Sequence, residues 1–277
     1  MRPVIYYRTI EEFDRTKEDN ELQYAEKYFK CIDSFIDAEP GDLVIPRYSA
    51  LPFFNEVSRD IEKLGARTIN SYRQHRYIAN LAEWYTDLED YTFKTWFDLI
   101  DIPPTEKGPF VLKGETNSKK FLWSTHAFAK DRDTATQVYL NLLDDSLIGT
   151  QRIVIRKFEP LVTYETISSH KLPVTKEFRV FVAYGKIISS AYYWSQSEEW
   201  LIENNLMPSI EEIPEEWLQQ CISIVGTASN FYAIDVAQSE NGKWFVVELN
   251  DGMMSGLSSN DPDILYKNLY DAIMEQK

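Results

Sequence analysis

The chain is poor in the residues that hold disulfide frameworks and zinc sites. It has two cysteines, Cys31 and Cys221, which lie far apart and form no CxxC pair, and three scattered histidines, His75, His126 and His170. A cysteine-stapled secreted domain and a structural zinc site are therefore both disfavoured. The first residues, MRPVIYYRTI, show no signal-peptide pattern, so we expect a reduced protein of the cytoplasm.

Long apolar runs and positive charge are also scarce. No apolar run approaches the roughly 18 residues that a membrane span needs. Lys and Arg number 29 against 44 Asp and Glu, which gives a formal net charge of −15. An acidic surface repels phosphate backbones and anionic lipids, so we expect neither nucleic acid nor a membrane as a partner. The signatures GxxxxGK[ST] and GxGxxG are absent, which argues against a P-loop and a Rossmann fingerprint.

The N-terminal third carries a clear alternation of strand and helix patterns. Strands are predicted at PVIYY, at 42–50 and at ARTIN. Between them, apolar spacing predicts helices over 20–38 and 51–64, the second ending at Gly65. This alternation indicates a small α/β unit with a parallel sheet.

After the N-terminal third, the predicted secondary structure no longer alternates regularly between strand and helix. An aromatic stretch over 78–100 predicts a helix packed in the core, and the proline-rich segment 100–109 is typical of a linker. Beyond it the patterns predict mostly antiparallel strands, one of them at 119–125, with helices between them. The expected organisation is an α/β domain over 1–84 followed by an α+β domain over 85–277.

Residues 232–252, YAIDVAQSENGKWFVVELNDG, contain acids between two β-rich runs. Asn241-Gly242 is the strongest short-range signal for a β-hairpin, because both residues tolerate positive φ. If these two residues form the whole loop, apolar residues match apolar residues on one face of the hairpin and two acids meet on the other. The predicted pairs are Asp235 with Glu248, Val236 with Val247, and Ile234 with Leu249.

The facing acids suggest a metal site. Asn250 lies two residues beyond Glu248 and therefore on the same face as Asp235. Facing carboxylates repel each other unless a cation lies between them. Mg²⁺ prefers carboxylate and amide oxygens, so the hypothesis is that these three side chains hold Mg²⁺. The competing interpretation is an exposed sheet face with incidental acids.

Mg²⁺ held by one or two carboxylates usually shares its coordination shell with substrate phosphates, which need cations. VLKGETNSKK places Lys113 at the end of an apolar strand and Lys119 and Lys120 in the polar turn that follows. In KEFRVFVAYGK, Glu177 and Arg179 share the polar face of a strand, where an arginine needs a carboxylate or a phosphate as partner. Plainer interpretations stay open: the lysines are solvated surface groups, and the arginine pairs with one acid of the hairpin.

In this order, VLKG, ETNSKK, RIVIRKFEP, EFRVFV, AIDVA and VVELNDG resemble the motifs of the ATP-grasp superfamily. Within that superfamily, the pattern of motifs is most similar to a divergent clade known for one arginine and two lysines. This clade includes small bacterial and phage proteins and a eukaryotic translation-factor assembly protein. The resemblance covers about residues 85–277 and implies two α+β subdomains that clasp ATP. The preceding 84 residues resemble the small α/β domain that usually precedes an ATP-grasp fold.

The resemblance also implies a role for each candidate residue, with Lys113 and Arg179 as the catalytic pair. The hinge RKFEP departs from many relatives, which have an acid before the aromatic residue, and this departure bears on nucleotide preference. The implied contacts are Mg²⁺ for Asp235, Glu248 and Asn250, the ATP phosphates for Lys113 and one of Lys119 and Lys120, adenine for the backbone of Lys157 and Phe158, the ribose for Glu177, and the γ-phosphate for Arg179.

The implied reaction is an ATP-dependent ligation, in which a carboxylate becomes an acylphosphate and an amine then displaces the phosphate. The substrates could be amino acids, peptides or protein side chains. An ATP-binding assembly factor without turnover would share every nucleotide-site residue, so both functions stay open. A third hypothesis, an acidic interaction protein, needs no ATP. Contacts to the acceptor substrate are predicted at Arg47, Arg73 and Arg76.

Overall fold

The computed structural model describes residues 2–7, 18–49, 53–167 and 172–276. Predicted features at other positions lie outside the described residues, among them His170 and the first residues of the predicted helix over 51–64.

The N-terminal part forms a parallel sheet in the strand order β2-β1-β3-β4, as the α/β pattern predicts. Apolar strands in such a sheet are covered on their faces, and here the strand β1 is buried along almost its whole length. The elements are β1 (Arg2–Tyr7), α1 (Glu18–Ala25), β2 (Lys30–Ile32), β3 (Asp42–Arg47), α2 (Phe54–Lys63) and β4 (Arg67–Thr68).

The predicted helix over 20–38 is wrong beyond Ala25. The helix α1 ends there, and the chain turns into β2, which pairs in parallel with Val4–Tyr6. Phe29, one of the residues whose apolar spacing predicts a longer helix, is buried by a distant part of the chain. Phe29 packs edge-on against Tyr266 near the C terminus, with ring centroids 6.2 Å apart. Contacts between distant parts of the chain thus override the local helical spacing.

The predicted helix over 78–100 is interrupted as well. Helix α3 (Tyr72–Ala79) ends just inside this range, the short helix α4 (Leu81–Trp84) follows, and the chain is extended again at β5 (Thr95–Trp96). The expected core packing is confirmed, because the apolar side chains of this stretch are buried. These are Leu81, Trp84, Tyr85 and Leu88.

A smaller antiparallel sheet follows, in the order β5-β8-β6-β7, with helix α5 against it. The strand predicted at 119–125 is wrong: this segment forms a 3-10 turn at Lys120–Leu122 and continues in a π-helical turn at Trp123–Ala127. The elements are β6 (Phe110–Gly114), β7 (Phe128–Ala129), α5 (Arg132–Leu143) and β8 (Ile153–Lys157).

The larger antiparallel sheet has the order β12-β11-β13-β14, and the hairpin β9-β10 precedes it. Helices α6 to α8 belong to the same part of the chain. The elements are β9 (Thr163–Ile167), β10 (Leu172–Thr175), β11 (Glu177–Ala183), β12 (Lys186–Tyr192), α6 (Glu198–Glu203), α7 (Glu215–Val225), β13 (Phe231–Gln238), β14 (Trp244–Asp251) and α8 (Pro262–Met274).

The two faces of the larger sheet differ in what covers them. Val180 and Ile234 point into a core shared with α3, α4 and α7. Phe181 and Ala233 point to the opposite side, into a core shared with α8 and the N-terminal sheet. Side chains alternate along a strand, so Arg179 lies on this second side. In the parts of the chain that the structure describes, no helix is both long and apolar enough to cross a membrane.

Candidate active site

A cavity of about 470 Å³ lies between the smaller and the larger sheet. Strands β6 and β8 contribute one wall, and β11 and β14 contribute the other. The cavity is lined by six of the ten residues predicted to bind ATP or Mg²⁺, whereas Lys119, Arg179, Asp235 and Asn250 lie outside the lining. The six are Lys113, Lys120, Lys157, Phe158, Glu177 and Glu248.

The hairpin loop between β13 and β14 is longer than the sequence predicts. The amide of Ser239 donates to the carbonyl of Lys243 over 2.9 Å, so three residues rather than two form the loop. Gly242 adopts a φ of +85°, as expected for the last position of a three-residue loop. The predicted two-residue loop is therefore wrong, and the pairing next to it is shifted by one residue.

A β-bulge then restores the predicted register at the acids. Val236 pairs with Val246 instead of Val247, and the register shifts between Asp235 and Val236. Beyond this irregularity Asp235 pairs with Glu248, as predicted. The extra residue, Val247, compensates for the extra loop residue. The facing acids are confirmed because two one-residue departures cancel.

The carboxylate of Asp235 is bound by Arg179. The guanidinium donates from Nε to Oδ1 over 2.8 Å and from Nη2 to Oδ2 over 2.7 Å. Asp235 is 1% exposed and Arg179 8%. Burial opposes the charge on Arg179, but the attraction of Asp235 outweighs it and raises the guanidinium pKa. Asn250 adds a hydrogen bond from Nδ2 to Oδ2 of the same carboxylate, over 3.3 Å.

Glu248 has a different cation, Lys113, which reaches across the cleft from β6. The ammonium of Lys113 forms an ion pair with Oε1 of Glu248. Burial would raise the pKa of the Glu248 carboxyl, but the charge and hydrogen bond of Lys113 lower it below its ordinary value. Each of the two facing acids is thus paired with its own cation, and the two cations come from different strands.

Lys120, rather than Lys119, belongs to the cavity. Its ammonium donates to the hydroxyl of Tyr193 over 2.8 Å and lies 4.6 Å from the ring centroids of both Tyr193 and Trp194. Burial lowers the pKa of Lys120, although Glu177 opposes the shift. Lys119 instead forms an ion pair with Asp145, at 2.9 Å. The 3-10 turn that begins at Lys120 sends neighbouring side chains in different directions.

The sequence analysis assigned no role in the site to Tyr193 or Trp194. Tyr193 connects the two cations of this region, because Arg179 also lies over its ring, with Cζ 4.9 Å from the centroid. An aromatic pair directly after a strand that adjoins a polar strand could have pointed to this contact. Cation–π contacts of this kind stabilise desolvated cations.

A family model supports the resemblance. The ATP-grasp domain, R2K clade family 3, matches residues 100–269, more than half of the chain. The chain belongs to this family. No curated protein sequence matches this chain.

Solved structures confirm the α+β ATP-grasp fold of this R2K-clade protein. D-cycloserine synthetase DcsG is 12% identical over 99% of both chains, with a TM-score of 0.60. A RimK domain ATP-grasp protein from Sphaerobacter thermophilus is 13% identical over 98% of this chain and 99% of that chain, with a TM-score of 0.59. The ATP-grasp ligase PsnB, complexed with precursor peptide PsnA2 and AMPPNP, is 12% identical over 98% of this chain and 96% of that chain, with a TM-score of 0.57.

In this ATP-grasp protein the oxygen donors predicted for Mg²⁺ suit that ion in kind. Two carboxylates and an amide, from Asp235, Glu248 and Asn250, meet at one place. Both carboxylates, however, already bind a cationic side chain. Across the described residues, no group of three or more His, Cys, Asp or Glu is placed to hold a metal ion. Mg²⁺ binding by these three residues stays a prediction.

Glu177 lies deep in the cavity wall and is 7% exposed. Burial and the nearby charge of Asp235 raise its pKa to about 7, although Lys120 and the hydroxyl of Thr175 oppose the shift. Thr175 Oγ1 donates to Oε2 over 3.0 Å. Near neutral pH this carboxyl therefore exists in both protonation states, and its predicted contact with a ribose hydroxyl can be made as donor or acceptor.

The hinge residues Lys157 and Phe158 line the cavity, but their amides are engaged elsewhere. The N–H of Lys157 donates to the carbonyl of Lys94 over 2.8 Å, and that of Phe158 to the carbonyl of Pro109 over 3.0 Å. The predicted backbone contacts with adenine would have to use carbonyl oxygens. The ammonium of Lys157 lies 3.7 Å from Glu106.

The arginine predicted to contact the acceptor at position 47 is not available to a ligand. Arg47 is 0% exposed and donates to Glu21 over 2.9 Å and to the carbonyl of Gly252 over 2.6 Å. This network joins α1, β3 and the loop after β14. Arg76 pairs with Glu83, and Arg73 lies on the surface. The acceptor contacts at Arg73 and Arg76 stay predictions.

Proposed function

We propose that the chain is an ATP- and Mg²⁺-dependent carboxylate–amine ligase that works through an acylphosphate. The observation that carries this proposal is the cavity between the two sheets, in which Lys113 and Lys120 face Glu177 and Glu248. Membership of the ATP-grasp family supports the same conclusion.

The charges of the site favour a metal–nucleotide pair over a bare metal ion. Three cations and three acids lie close together, and each of the two facing acids already has a cationic partner. A bare Mg²⁺ would add positive charge beside these cations. A triphosphate brings negative oxygens with the metal and offers Lys113 a new partner, which releases Glu248. Nucleotide and metal should therefore bind together.

When bound, Mg²⁺ would neutralise charge that develops on the phosphate oxygens. The chain itself supplies the other contacts. Lys113 and Lys120 bind phosphate oxygens, Glu177 and the hinge orient the nucleoside, and Arg179 stabilises the negative charge of the transferred phosphoryl group. Tyr193 keeps Lys120 and Arg179 in position through its hydroxyl and its ring.

The proposed reaction has two steps. An oxygen of the substrate carboxylate attacks the γ-phosphorus, the bond to the bridging oxygen breaks, and ADP leaves with the electron pair. The amine nitrogen then attacks the acyl carbon, the carbon–oxygen bond to phosphate breaks, and a proton passes from nitrogen to solvent. We propose amino acids or peptides as substrates, since PsnB was solved with a precursor peptide and DcsG is a synthetase of D-cycloserine.

The test is release of ADP and phosphate from ATP and Mg²⁺ with pairs of common amino acids and short peptides. We expect turnover only when a carboxylate and an amine are both present. With an active pair, ¹⁸O in the carboxylate should appear in the released phosphate, because one carboxylate oxygen ends there. Tight ATP binding without turnover across the panel would contradict ligase activity and favour an ATP-binding assembly factor.

Matched lysine variants connect the activity to this cavity. Lys113→Met should abolish turnover, because it removes the cation that moves between Glu248 and phosphate. Lys94→Met provides the control, since Lys94 is exposed and lies outside the cavity lining. If Lys113→Met were as active as an active Lys94→Met variant, the reaction would have to take place outside this cavity.

A further inference from the structure

The β-bulge in β14 is held by two side chains from outside the larger sheet. Nη1 of Arg156 donates to the carbonyl of Val247 over 2.6 Å, and the hydroxyl of Thr92 donates to the carbonyl of Val246 over 2.7 Å. Nη2 of Arg156 donates to that same hydroxyl over 2.6 Å. Both carbonyls at the bulge therefore have partners, and the partners are hydrogen-bonded to each other.

Arg156 is an unusual residue for this position. It is 5% exposed, and its two partners are neutral oxygens. Its Nε is a buried atom without a hydrogen-bond partner among the described residues. Burial lowers the guanidinium pKa to about 10, so the charge persists at neutral pH. The charge of Glu248 offsets part of the cost of burying this cation, and its fork of donors is what connects β8 to the bulge.

The bulge decides which way Glu248 points. Next to the hairpin loop, Val236 pairs with Val246. If that register continued without a bulge, Val247 would face Asp235 and Glu248 would turn to the apolar side of the sheet. The extra residue returns Glu248 to the position opposite Asp235.

We propose that Arg156 and Thr92 are positioning residues that clamp the bulge at Val247 and thereby keep Glu248 opposite Asp235 for binding of Mg²⁺ with the nucleotide. This inference rests on the proposed function, which supplies the metal. Neither side chain needs to contact the metal, because both act on the backbone that carries Glu248. Groups that orient a metal ligand typically change metal affinity about 10- to 100-fold when they are removed.

The test compares Thr92→Val with Thr92→Ser in the full chain. Valine keeps the shape of the side chain but has no hydroxyl, whereas serine keeps the hydroxyl. Calorimetric titration with ADP, repeated over a series of Mg²⁺ concentrations, measures the Mg²⁺ concentration at which the increase in ADP affinity is half complete. We expect about a tenfold increase for the valine variant and the wild-type value for the serine variant. Arg156→Lys, which keeps the charge and loses the fork, should also require more Mg²⁺.

Hydrogen exchange of the ligand-free variants tests the clamp without metal or turnover. In Thr92→Val, amides of residues 245–249 should exchange faster than in Thr92→Ser, with the rest of β13 and β14 unchanged. Faster exchange with an unaltered Mg²⁺ requirement would overturn the positioning role, and so would an equal loss of ADP affinity with and without Mg²⁺. If Mg²⁺ does not change the ADP affinity of the wild type, the proposed metal-dependent function is refuted. If hydrogen exchange at residues 245–249 is the same in both variants, the clamp is refuted, whatever the Mg²⁺ requirement.

Discussion

Replacing Glu177 by glutamine should stabilise the chain at neutral and alkaline pH. The carboxyl is buried, and its pKa is raised from the ordinary 4.5 to about 7, mainly by burial and by the charge of Asp235. Glutamine has nearly the same shape and stays neutral at every pH. Its amide oxygen can still accept the hydrogen bond that Thr175 Oγ1 donates over 3.0 Å.

The magnitude follows from the pKa shift. One pKa unit corresponds to about 1.4 kcal/mol, so ionising this carboxyl in the fold costs about 3 kcal/mol more than in the unfolded chain. Because the folded state holds the proton more tightly, the wild-type free energy of unfolding should fall as pH rises from 4.5 to about 7 and then level off. Glu177→Gln should lack this contribution. The difference should be near zero below pH 4.5 and reach about 3 kcal/mol at pH 8.

Chemical denaturation at several pH values between 4 and 8 measures this difference. Glu211→Gln serves as the control, because Glu211 is exposed and its removal changes the net charge equally. Parallel pH curves for wild type and Glu177→Gln would refute the reasoning. So would the same gain in Glu211→Gln, since the effect would then come from net charge rather than from burial.

Asp235→Asn should lower the free energy of unfolding by about 3–5 kcal/mol, because it leaves a buried arginine without its counter-charge. Glu248→Gln should lower the free energy of unfolding much less, since that side chain is 26% exposed. Equal losses for the two variants in chemical denaturation would contradict the conclusion that the Arg179–Asp235 pair is the more deeply buried one. Tyr193→Phe should lose about 1 kcal/mol with the hydroxyl that accepts from Lys120. Tyr193→Ala should lose more, because the ring under two cations goes too, and a smaller loss would exclude the cation–π contribution.

The pairing of Asp235 with Glu248 could be predicted from the sequence, although the prediction assumed a two-residue loop that the chain does not form. Alternation of apolar residues places both acids on one face, and that constraint survives a longer loop because a bulge absorbs the extra residue. The loop length itself was predicted wrongly. Asn-Gly permits a two-residue loop, but the chain forms a three-residue loop, and the extra residue is absorbed by a bulge whose carbonyls bind Arg156 and Thr92.

Local patterns were least reliable where distant contacts decide the conformation. The apolar spacing over 20–38 is compatible with a helix, yet β2 forms because an unpaired edge of β1 is available to it. The segment 119–125 was predicted as a strand. It folds as helical turns, and this brings Lys120 rather than Lys119 to Tyr193.

The sequence by itself determined the order of the motifs, and with it the α+β ATP-grasp fold and the residue types of the site. It left open which cation meets which acid. Lys113 and Glu248 are 135 positions apart, and Arg179 and Asp235 are 56 apart. Only the tertiary structure decided these pairs, because an ion pair depends on strand order and on how two sheets face each other. Neither property is encoded in the spacing of the residues along the chain.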